Sequence, residues 1–228
     1  MIIGNGLVAS KFREYHNYDD CIIFSSGVSD SQESCTKKFN REKSLVRETL
    51  AKYKNLQFIY FSTILVKFSD TPYNKHKLEI ENLIKATASS YIIFRVPQLI
   101  GHGGNKNNLV NFLLNSIQME QDIVIGKDVK RSILCVEDMV NIVTYCKGKC
   151  DRTTINISGV EKKKVVDICK DIASILGKVP SMDIIPKVDH SNWTTTNSDL
   201  VEESFSVLGI LPENYTKKVL LRYLEDKV

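Results

Sequence analysis

The chain has 228 residues, of which 43% are hydrophobic and 25% are charged, and its formal net charge is +4. This composition is typical of a globular protein with room for one large domain or two small lobes. The lysines are spread along the sequence, which argues against a nucleic-acid-binding stripe. No apolar run approaches the roughly 20 residues that span a bilayer, and no basic segment precedes the N-terminal apolar run. Neither a membrane partner nor a secretory signal is therefore expected.

The cysteines are expected to be reduced thiols that bind no metal. Several stand inside apolar segments, where a free thiol behaves as a small hydrophobic side chain. Cys146 and Cys150 have helical spacing, but no histidine or second cysteine pair completes a zinc site. This pattern fits a cytoplasmic protein. The six positions are Cys21, Cys35, Cys135, Cys146, Cys150 and Cys169.

The first hundred residues alternate between short apolar strands and helices. Such alternation is the signature of a parallel sheet that is covered on both faces. We therefore predict an α/β fold with a Rossmann-like, doubly wound sheet in residues 1–104. The strands are expected at 1–4, 21–24, 58–61 and 91–96, and the helices at 7–15, 39–53 and 73–88.

The second half is less regular and is predicted to form, for the most part, a small C-terminal α/β lobe that binds substrate, residues 105–228. Both parts are expected to make one compact unit. Strands are predicted at 123–125, 132–135, 154–157 and 182–185, and helices at 109–117, 136–146, 164–176, 198–208 and 214–224.

A glycine-rich turn joins the first strand to the first helix. The segment reads G-x-G-x-x-A from Gly4 to Ala9. In such a run the first glycine permits a tight turn, and the second, Gly6, lets the backbone approach a pyrophosphate. The small Ala9 lets helix and strand pack closely, while the helix N-terminus attracts negative charge. The pattern predicts dinucleotide binding; the alternative is a turn without a ligand.

A second motif, Tyr73-x-x-x-Lys77, opens the third helix ten residues after Thr63. Because four residues make about one helical turn, the phenol and the ammonium share a face. A neighbouring ammonium favours the phenolate, so we expect a lowered pKa for Tyr73 and acid/base chemistry near neutral pH. Thr63 is placed to hold the substrate oxygen, and His76 is expected to point elsewhere. The alternative is an ordinary solvated helix face.

These motifs, taken together, resemble those of the extended short-chain dehydrogenase/reductases, the group of nucleotide-sugar epimerases, dehydratases and 4-ketoreductases. The resemblance covers nearly the whole chain. It runs through IIGNGLVAS, FSSGVS, FIYFST, YNKHKLEIENLI, FRVPQLIGHGGN, RSILCVEDMVNIV and TINISGVEKKKVVDICKDIASILG.

The resemblance implies a nucleotide-sugar reductase or epimerase that uses NAD or NADP, and a homodimer formed through the second and third helices. It implies a catalytic set of Thr63, Tyr73 and Lys77. The substrate-binding residues it implies are Ser62, Gln98, Asn108 and Arg131. The cofactor-binding residues it implies are Gly4, Asn5, Gly6, Leu7, Val8, Ser25, Ser26, Gly27, Tyr73, Lys77 and Pro97.

The chain departs from the family pattern in its sheet. The strand Cys21–Phe24 follows the first helix closely and ends in Ser25-Ser26-Gly27, as the family's fourth strand does. A strand-helix-strand piece is therefore missing, and the sheet is truncated. That piece normally carries the residue that reads the adenosine ribose, so the choice between NAD and NADP stays open.

Two further departures concern the chemistry. A dehydratase of this family carries an Asp-Glu pair after its threonine, whereas this chain has Ile64 and Leu65, which cannot move protons. Dehydration is therefore disfavoured. The segment from Thr63 to Tyr73 is short, which leaves Ser62 as an alternative substrate hydroxyl. The rival to an enzyme is a non-catalytic binding or regulatory module, which the missing strands favour and the intact Tyr73 and Lys77 oppose.

Overall fold

The fold is seen in a computed structural model that describes residues 1–15, 18–102, 104, 108–186 and 196–225. Its helices and strands alternate through the first hundred residues, as predicted. In chain order the elements are β1 (Ile2–Ile3), α1 (Leu7–Tyr15), β2 (Cys21–Phe24), α2 (Thr36–Lys52), β3 (Gln57–Thr63), α3 (Pro72–Thr87), β4 (Tyr91–Val96), β5 (Gln98–Ile100), α4 (Leu109–Gln118), β6 (Ile123–Gly126), β7 (Lys130–Arg131), β8 (Ile133–Cys135), α5 (Val136–Cys146), β9 (Thr153–Asn156), β10 (Lys163–Lys164), α6 (Val165–Ile175), β11 (Met182–Ile185), α7 (Asp199–Leu208) and α8 (Tyr215–Leu224).

The main sheet has five parallel strands in the order β1-β2-β3-β4-β9. Consecutive residues of each strand point to opposite faces, so two apolar clusters form. Ile23 and Ile59 lie in the cluster on the α1 and α5 side. Ile22 and Phe58 lie in the cluster under α2 and α3. Helices therefore cover both faces, and the prediction of a Rossmann-like α/β fold is confirmed.

The truncation predicted from the sequence is visible in the strand order. β1 pairs with β2 at one end of the sheet, with the register Ile2 to Ile23, and no further strand follows β1 among the described residues. The order runs steadily from β1 to β9, so it does not reverse beside β1 as in a complete doubly wound sheet.

The first crossover connection, from β1 through α1 to β2, has an unusual hand. The steps from β1 to β2 and from β2 to β3 go in the same direction across parallel strands. However, Phe12 of α1 packs on one face and Val46 of α2 on the other. The two connections therefore have opposite hands, although about 98% of such connections are right-handed. The missing strand would lie on the far side of β1. A right-handed connection from β1 to that strand would place α1 on the face where it is found, so α1 lies where it would in a complete sheet.

The sequence missed three short strands. Pro97 ends β4 as predicted, but the chain continues into β5, which pairs with β8. β7 and β10 have two residues each and pair antiparallel, and an alternating pattern cannot be read from two residues. The remaining elements were predicted with ends that differ by up to about three residues, an ordinary error for boundaries.

The C-terminal region shares its core with the sheet. One apolar cluster contains Ile59 of β3, Leu113 of α4, Ile168 of α6 and Leu220 of α8. The division at 104/105 stays a prediction. All six cysteines are free thiols. In the described part of the chain, no helix combines the length and apolar character needed to cross a membrane.

Candidate functional site

The glycine turn lies at the carboxyl end of β1, against the end of β2. Gly4 has φ +127°, and a Cβ at this position would lie 2.4 Å from the carbonyl oxygen of Ser25. Only glycine fits both the backbone angle and this contact. The backbone N–H of Ser25 donates to the carbonyl of Ile3 at 2.7 Å. These contacts hold the first two strand ends side by side.

Gly6 stands in open space at the start of α1. A Cβ there would meet no atom within 4 Å, and the Gly6 carbonyl accepts the Ser10 amide at 3.0 Å, which begins the helix. The structure itself therefore does not require glycine at this position, whereas a ligand close to the backbone would. Asn5 is exposed, and its Oδ1 accepts from the Arg13 guanidinium at 3.2 Å.

Leu7 and Val8 take part in packing. Leu7 Cδ1 lies 2.9 Å from the position of a Cβ on Gly101, so this side chain points into the loop after β5. Val8 is partly buried against the main apolar cluster. Only the backbone amides of these two residues are therefore left for a ligand at the helix N-terminus, where such groups lack intrahelical partners.

The segment after β2 connects the glycine turn to α3. The Arg41 guanidinium of α2 donates to the carbonyl of Ser26 at 2.7 Å and to its hydroxyl at 3.3 Å. Gly27 lies against a buried ion pair, because a Cβ there would be 2.8 Å from both Glu42 Oε1 and Lys77 Nζ. The Ser25 hydroxyl is buried without a hydrogen-bond partner in the described structure.

Tyr73 and Lys77 are positioned by the start of α3. The Thr71 hydroxyl caps the helix by accepting from the Asn74 amide at 3.2 Å, and Pro72 occupies the first turn, where its lack of an N–H costs nothing. Lys77 Nζ lies 5.8 Å from the centroid of the Tyr73 ring. The predicted sharing of one helix face is therefore present.

Glu42 of α2, which the sequence did not single out, is the centre of a buried network. Its side chain is 0% exposed and pairs with Lys77 Nζ at 3.1 Å and His76 Nε2 at 2.9 Å. The Tyr60 hydroxyl and the Val28 amide donate to it at 2.6 and 2.7 Å. Burial alone would raise the pKa of Glu42, but Lys77 and these hydrogen bonds hold it well below its usual range. The expectation that His76 would point elsewhere was wrong, because it joins this network.

The expected lowering of the Tyr73 pKa was also wrong for the protein without ligand. Burial raises the pKa of Tyr73, and the negative charges of Glu42 and Asp30 act in the same direction. The ammonium of Lys77 does lower the pKa, as the sequence argument assumed, but its effect is smaller. Tyr73 is therefore a protonated phenol at neutral pH.

Thr63 and Ser62, the two candidates for the substrate hydroxyl, differ in exposure. Thr63 is partly exposed at the end of β3, where its Oγ1 accepts from the Leu65 amide at 3.2 Å. Ser62 is 3% exposed and faces the other side of the sheet. On that side, Arg95 holds Glu81 through bonds of 2.9 and 2.6 Å. The geometry favours Thr63 over Ser62 as the accessible hydroxyl.

The predicted substrate residues lie on three elements beyond β4. Gln98 begins β5 and is partly exposed, whereas the preceding Pro97 is buried. Asn108 caps α4, and its Oδ1 accepts from the Asn111 amide at 2.8 Å. That oxygen is therefore committed to the helix, which leaves only the amide of Asn108 for a ligand.

Arg131 lies in a concentration of positive charge. In the backbone register of the antiparallel β7–β10 ribbon, Arg131 lies opposite Lys163, and Lys130 lies opposite Lys164. Carboxylates lie near two of these cations: Lys164 contacts Asp128 at 3.0 Å, and Lys163 contacts an aspartate of α6. Within the described ranges, no group of three or more histidine, cysteine or acidic side chains could hold a metal ion.

The residues present fit a nicotinamide dinucleotide at the carboxyl edge, as two observations indicate. The open space at Gly6 admits a diphosphate close to the helix N-terminus. The unpartnered Ser25 hydroxyl stands between that turn and the network around Lys77. On the far side of β1 no described strand continues the sheet, so the adenosine half would find less protein there than in a complete Rossmann sheet.

Comparison with known proteins gives a fold-level result. No family model matches the chain. Among curated proteins, shikimate dehydrogenase (NADP(+)) of Prochlorococcus marinus (strain MIT 9515) is 29% identical over 69 residues. That match spans 30% of this chain and 24% of the relative, so the chain matches about a quarter of that protein's length.

The similar solved structures are epimerases, dehydratases and related enzymes. RMD from Pseudomonas aeruginosa, complexed with NADPH, has a TM-score of 0.74 at 15% identity and covers 100% of this chain and 98% of its own. UDP-glucuronic acid 4-epimerase from Bacillus cereus, with UDP-glucuronic acid and NAD, has a TM-score of 0.69 at 16% identity, covering 98% and 80%. dTDP-glucose 4,6-dehydratase from Bacillus anthracis, with NAD, has a TM-score of 0.69 at 14% identity, covering 90% and 71%.

At these identities the likeness is one of fold. The chain has a Rossmann-type α/β fold like that of these enzymes, and no strand lies beyond β1 among its described residues. The resemblance predicted from the sequence motifs is confirmed at that level.

Proposed function

We propose that the chain is an NAD- or NADP-dependent enzyme that reduces or epimerises a nucleotide sugar. The observation that carries the proposal is the arrangement along one sheet edge. The glycine turn, the Gly27 backbone and the Lys77 ammonium follow one another there, and the Tyr73 ring lies 5.8 Å from that ammonium. A dinucleotide laid along this edge would extend from the turn toward the phenol.

Cofactor binding would depend on backbone groups more than on side chains. The free N–H groups at the start of α1 would hold the diphosphate, because a helix N-terminus favours negative charge. The unpartnered Ser25 hydroxyl would offer one further hydrogen bond. When bound, the dinucleotide supplies the hydride. Arg13 donates to the Gly4 carbonyl and to Asn5, so its positive charge lies beside the turn.

The protein's own part in the reaction is the movement of one proton. Tyr73 is a phenol at neutral pH because burial raises its pKa, so it would act as the acid that protonates a sugar ketone as hydride arrives. Thr63 would orient the same oxygen from the end of β3. Lys77 would fix the phenol, and on cofactor binding it would exchange its longest contact, to the Phe61 carbonyl at 3.5 Å, for a ribose hydroxyl. This assignment suits ketone reduction better than oxidation, which needs a phenolate.

The substrate would be held by the C-terminal region. Arg131 and the lysines of the β7–β10 ribbon offer the charge that a nucleotide diphosphate requires. The epimerase of Bacillus cereus was solved with UDP-glucuronic acid, which is consistent with a substrate of this class. Gln98, partly exposed at the start of β5, would contact the sugar.

Dehydration remains disfavoured in this proposal, although a dehydratase is among the proteins of similar fold. Ile64 is buried and, like Leu65, has no proton to exchange. We further propose a cytoplasmic homodimer that pairs through α2 and α3. Sedimentation analysis at micromolar concentration tests the dimer: a mass of two chains is expected, and a mass of 25.9 kDa would contradict it.

The test of the proposed function separates binding from turnover. Fluorescence titration with NADH and NADPH should give saturable binding of at least one. Tyr73→Phe should then lower turnover of a nucleotide-keto-sugar by about two orders of magnitude or more, while the cofactor affinity stays within about twofold. Unchanged turnover would remove Tyr73 from the mechanism.

The rival function is a binding or regulatory module without catalysis, and one observation favours it. The sheet ends at β1 in the described structure, so the strands that would flank the adenosine are missing. No binding of either dinucleotide at millimolar concentration would support this rival over the enzyme.

A further inference from the structure

The network around Glu42 suggests a role beyond packing. Three of its four partners are donors: Tyr60 and Lys77 donate to Oε1, and the Val28 amide donates to Oε2. The fourth partner, His76 Nε2, contacts Oε2 and donates in one ring tautomer but accepts in the other. A carboxylate can accept from every donor here, and the Lys77 ammonium at 3.1 Å favours that ionised form. The geometry therefore favours an ionised Glu42, although its side chain is 0% exposed.

Lys77 is fully occupied by this arrangement. Its Nζ contacts Glu42 Oε1 at 3.1 Å, the Tyr60 hydroxyl at 3.0 Å and the Phe61 carbonyl at 3.5 Å. An ammonium has three protons, so each has an acceptor. The same nitrogen lies 4.9 Å from the Tyr60 ring centroid and 5.8 Å from that of Tyr73. Its position beside the Tyr73 ring is thus fixed through Glu42.

We propose that Glu42 is a positioning residue for Tyr73: it fixes the Lys77 ammonium beside the phenol, and its negative charge opposes the effect of that ammonium. The consequence is that Tyr73 stays protonated and acts as an acid toward a ketone. This inference deepens the proposed function and rests on it, but the charge coupling can be measured without any substrate.

The groups that act on the Tyr73 phenol come from each neighbouring element. Lys77 lies on α3 itself, Glu42 on α2, Tyr60 on β3, and Asp30 in the segment after β2. His76 of α3 contacts Glu42. Lys77 favours the phenolate, while Glu42 and Asp30 oppose it. Removing Glu42 or removing Lys77 should therefore move the Tyr73 titration in opposite directions.

The experiment is a titration of 13C-labelled tyrosine by NMR, with the Tyr73 signal assigned from Tyr73→Phe. Glu42→Gln should lower the Tyr73 midpoint by about one pH unit or more, and Lys77→Met should raise it. Simple loosening of the site would admit water and lower the midpoint in both variants. The opposite signs are thus a readout that a merely structural role does not give.

The control is Glu81→Gln, which removes another carboxylate that is 0% exposed, from α3 itself. Glu81 is held by Arg95 and Lys85, and no ion pair joins it to Lys77 in the described structure. This variant should leave the Tyr73 midpoint within about 0.3 units while costing comparable stability. An equal fall in both glutamine variants would overturn the proposal.

If Glu42→Gln does not fold, the double variant Glu42→Gln/Lys77→Met supplies the same comparison against Lys77→Met. The buried charges are then removed as a pair, which is tolerated better than removing one of them. The double variant should titrate below Lys77→Met, and equal midpoints would refute the role of Glu42.

Activity gives a separate readout. In the active enzyme, Glu42→Gln should move the alkaline limb of kcat/KM for ketone reduction to lower pH, since the acid form of Tyr73 is lost earlier. An unmoved limb would contradict the positioning role. If no dinucleotide binds, the proposed function fails, yet the NMR midpoints still decide the coupling between Glu42 and Tyr73.

Discussion

Gly6→Ala separates the demands of the fold from those of the ligand at the glycine turn. A methyl group at this position would meet no atom within 4 Å, and the backbone lies outside the left-handed region. Alanine is a poorer helix N-cap than glycine, but it also restricts the unfolded chain, so the two effects nearly cancel. We expect the free energy of unfolding to change by less than about 1 kcal/mol, or about 2–4 °C in Tm.

The same methyl group would occupy the space through which a diphosphate reaches the amides at the start of α1. A hydrogen bond to a charged group contributes about 1.5–3 kcal/mol, so losing one lowers affinity about 10- to 100-fold. Gly4→Ala is the matched contrast. It combines φ +127° with a contact of 2.4 Å to the Ser25 carbonyl, and should cost at least about 3 kcal/mol of stability.

Thermal unfolding and NADH or NADPH fluorescence titration measure the two quantities on the same samples. The expected result is a folded Gly6→Ala protein with weakened cofactor binding and a strongly destabilised Gly4→Ala protein. A Gly6→Ala variant that binds the dinucleotide as tightly as the wild type would refute the assignment of the turn.

Three further outcomes concern stability, pH and thiol reactivity. Arg95→Met leaves the Glu81 carboxylate buried with Lys85, at 3.4 Å, as its remaining cation in the described structure, and should cost about 3–5 kcal/mol in urea unfolding, whereas Lys85→Ala should cost less than about 1 kcal/mol. Burial raises the pKa of Glu81 but the Arg95 bonds lower it more, so its stabilisation is present above the unfolded pKa of about 4.3 and is lost as pH falls. The unfolding free energy of the wild type should thus drop below that pH, and less steeply in Glu81→Gln. Cys35 is exposed and should react first with a thiol reagent, while burial raises the pKa of Cys146 to about 12 and keeps it slow; equal rates for the two would contradict this assignment.

The sequence predicted those features that depend on local spacing. The G-x-G turn and the Tyr73-x-x-x-Lys77 motif are each contained in a few residues, and helix geometry places the phenol and the ammonium on one face. The missing piece of the sheet could also be predicted, because the segment Cys21–Phe24 carries the ending of a later strand.

The sequence could not predict contacts between segments that are distant along the chain. Glu42 lies 35 positions from Lys77 and stands in a helix rich in charged residues, most of which are exposed, so no local pattern marks it as buried. The raised pKa of Tyr73 follows from that tertiary burial. Asn108 was predicted to bind substrate, but whether its oxygen caps α4 instead depends on local backbone geometry that a motif does not specify.

The hand of the first crossover was equally beyond the sequence. A short strand-helix-strand pattern ordinarily predicts a right-handed unit, and nothing in Leu7–Tyr15 indicates which face of the sheet it covers. The side is decided by packing, since Phe12 fits into the cluster shared with α5.

A crystal structure of the protein with bound NADH or NADPH tests the central claim most directly. We expect the diphosphate oxygens within hydrogen-bond distance of the backbone amides at residues 6–8, and the nicotinamide beside the Tyr73 ring. A dinucleotide bound elsewhere, or an empty glycine turn at saturating ligand, would contradict the account.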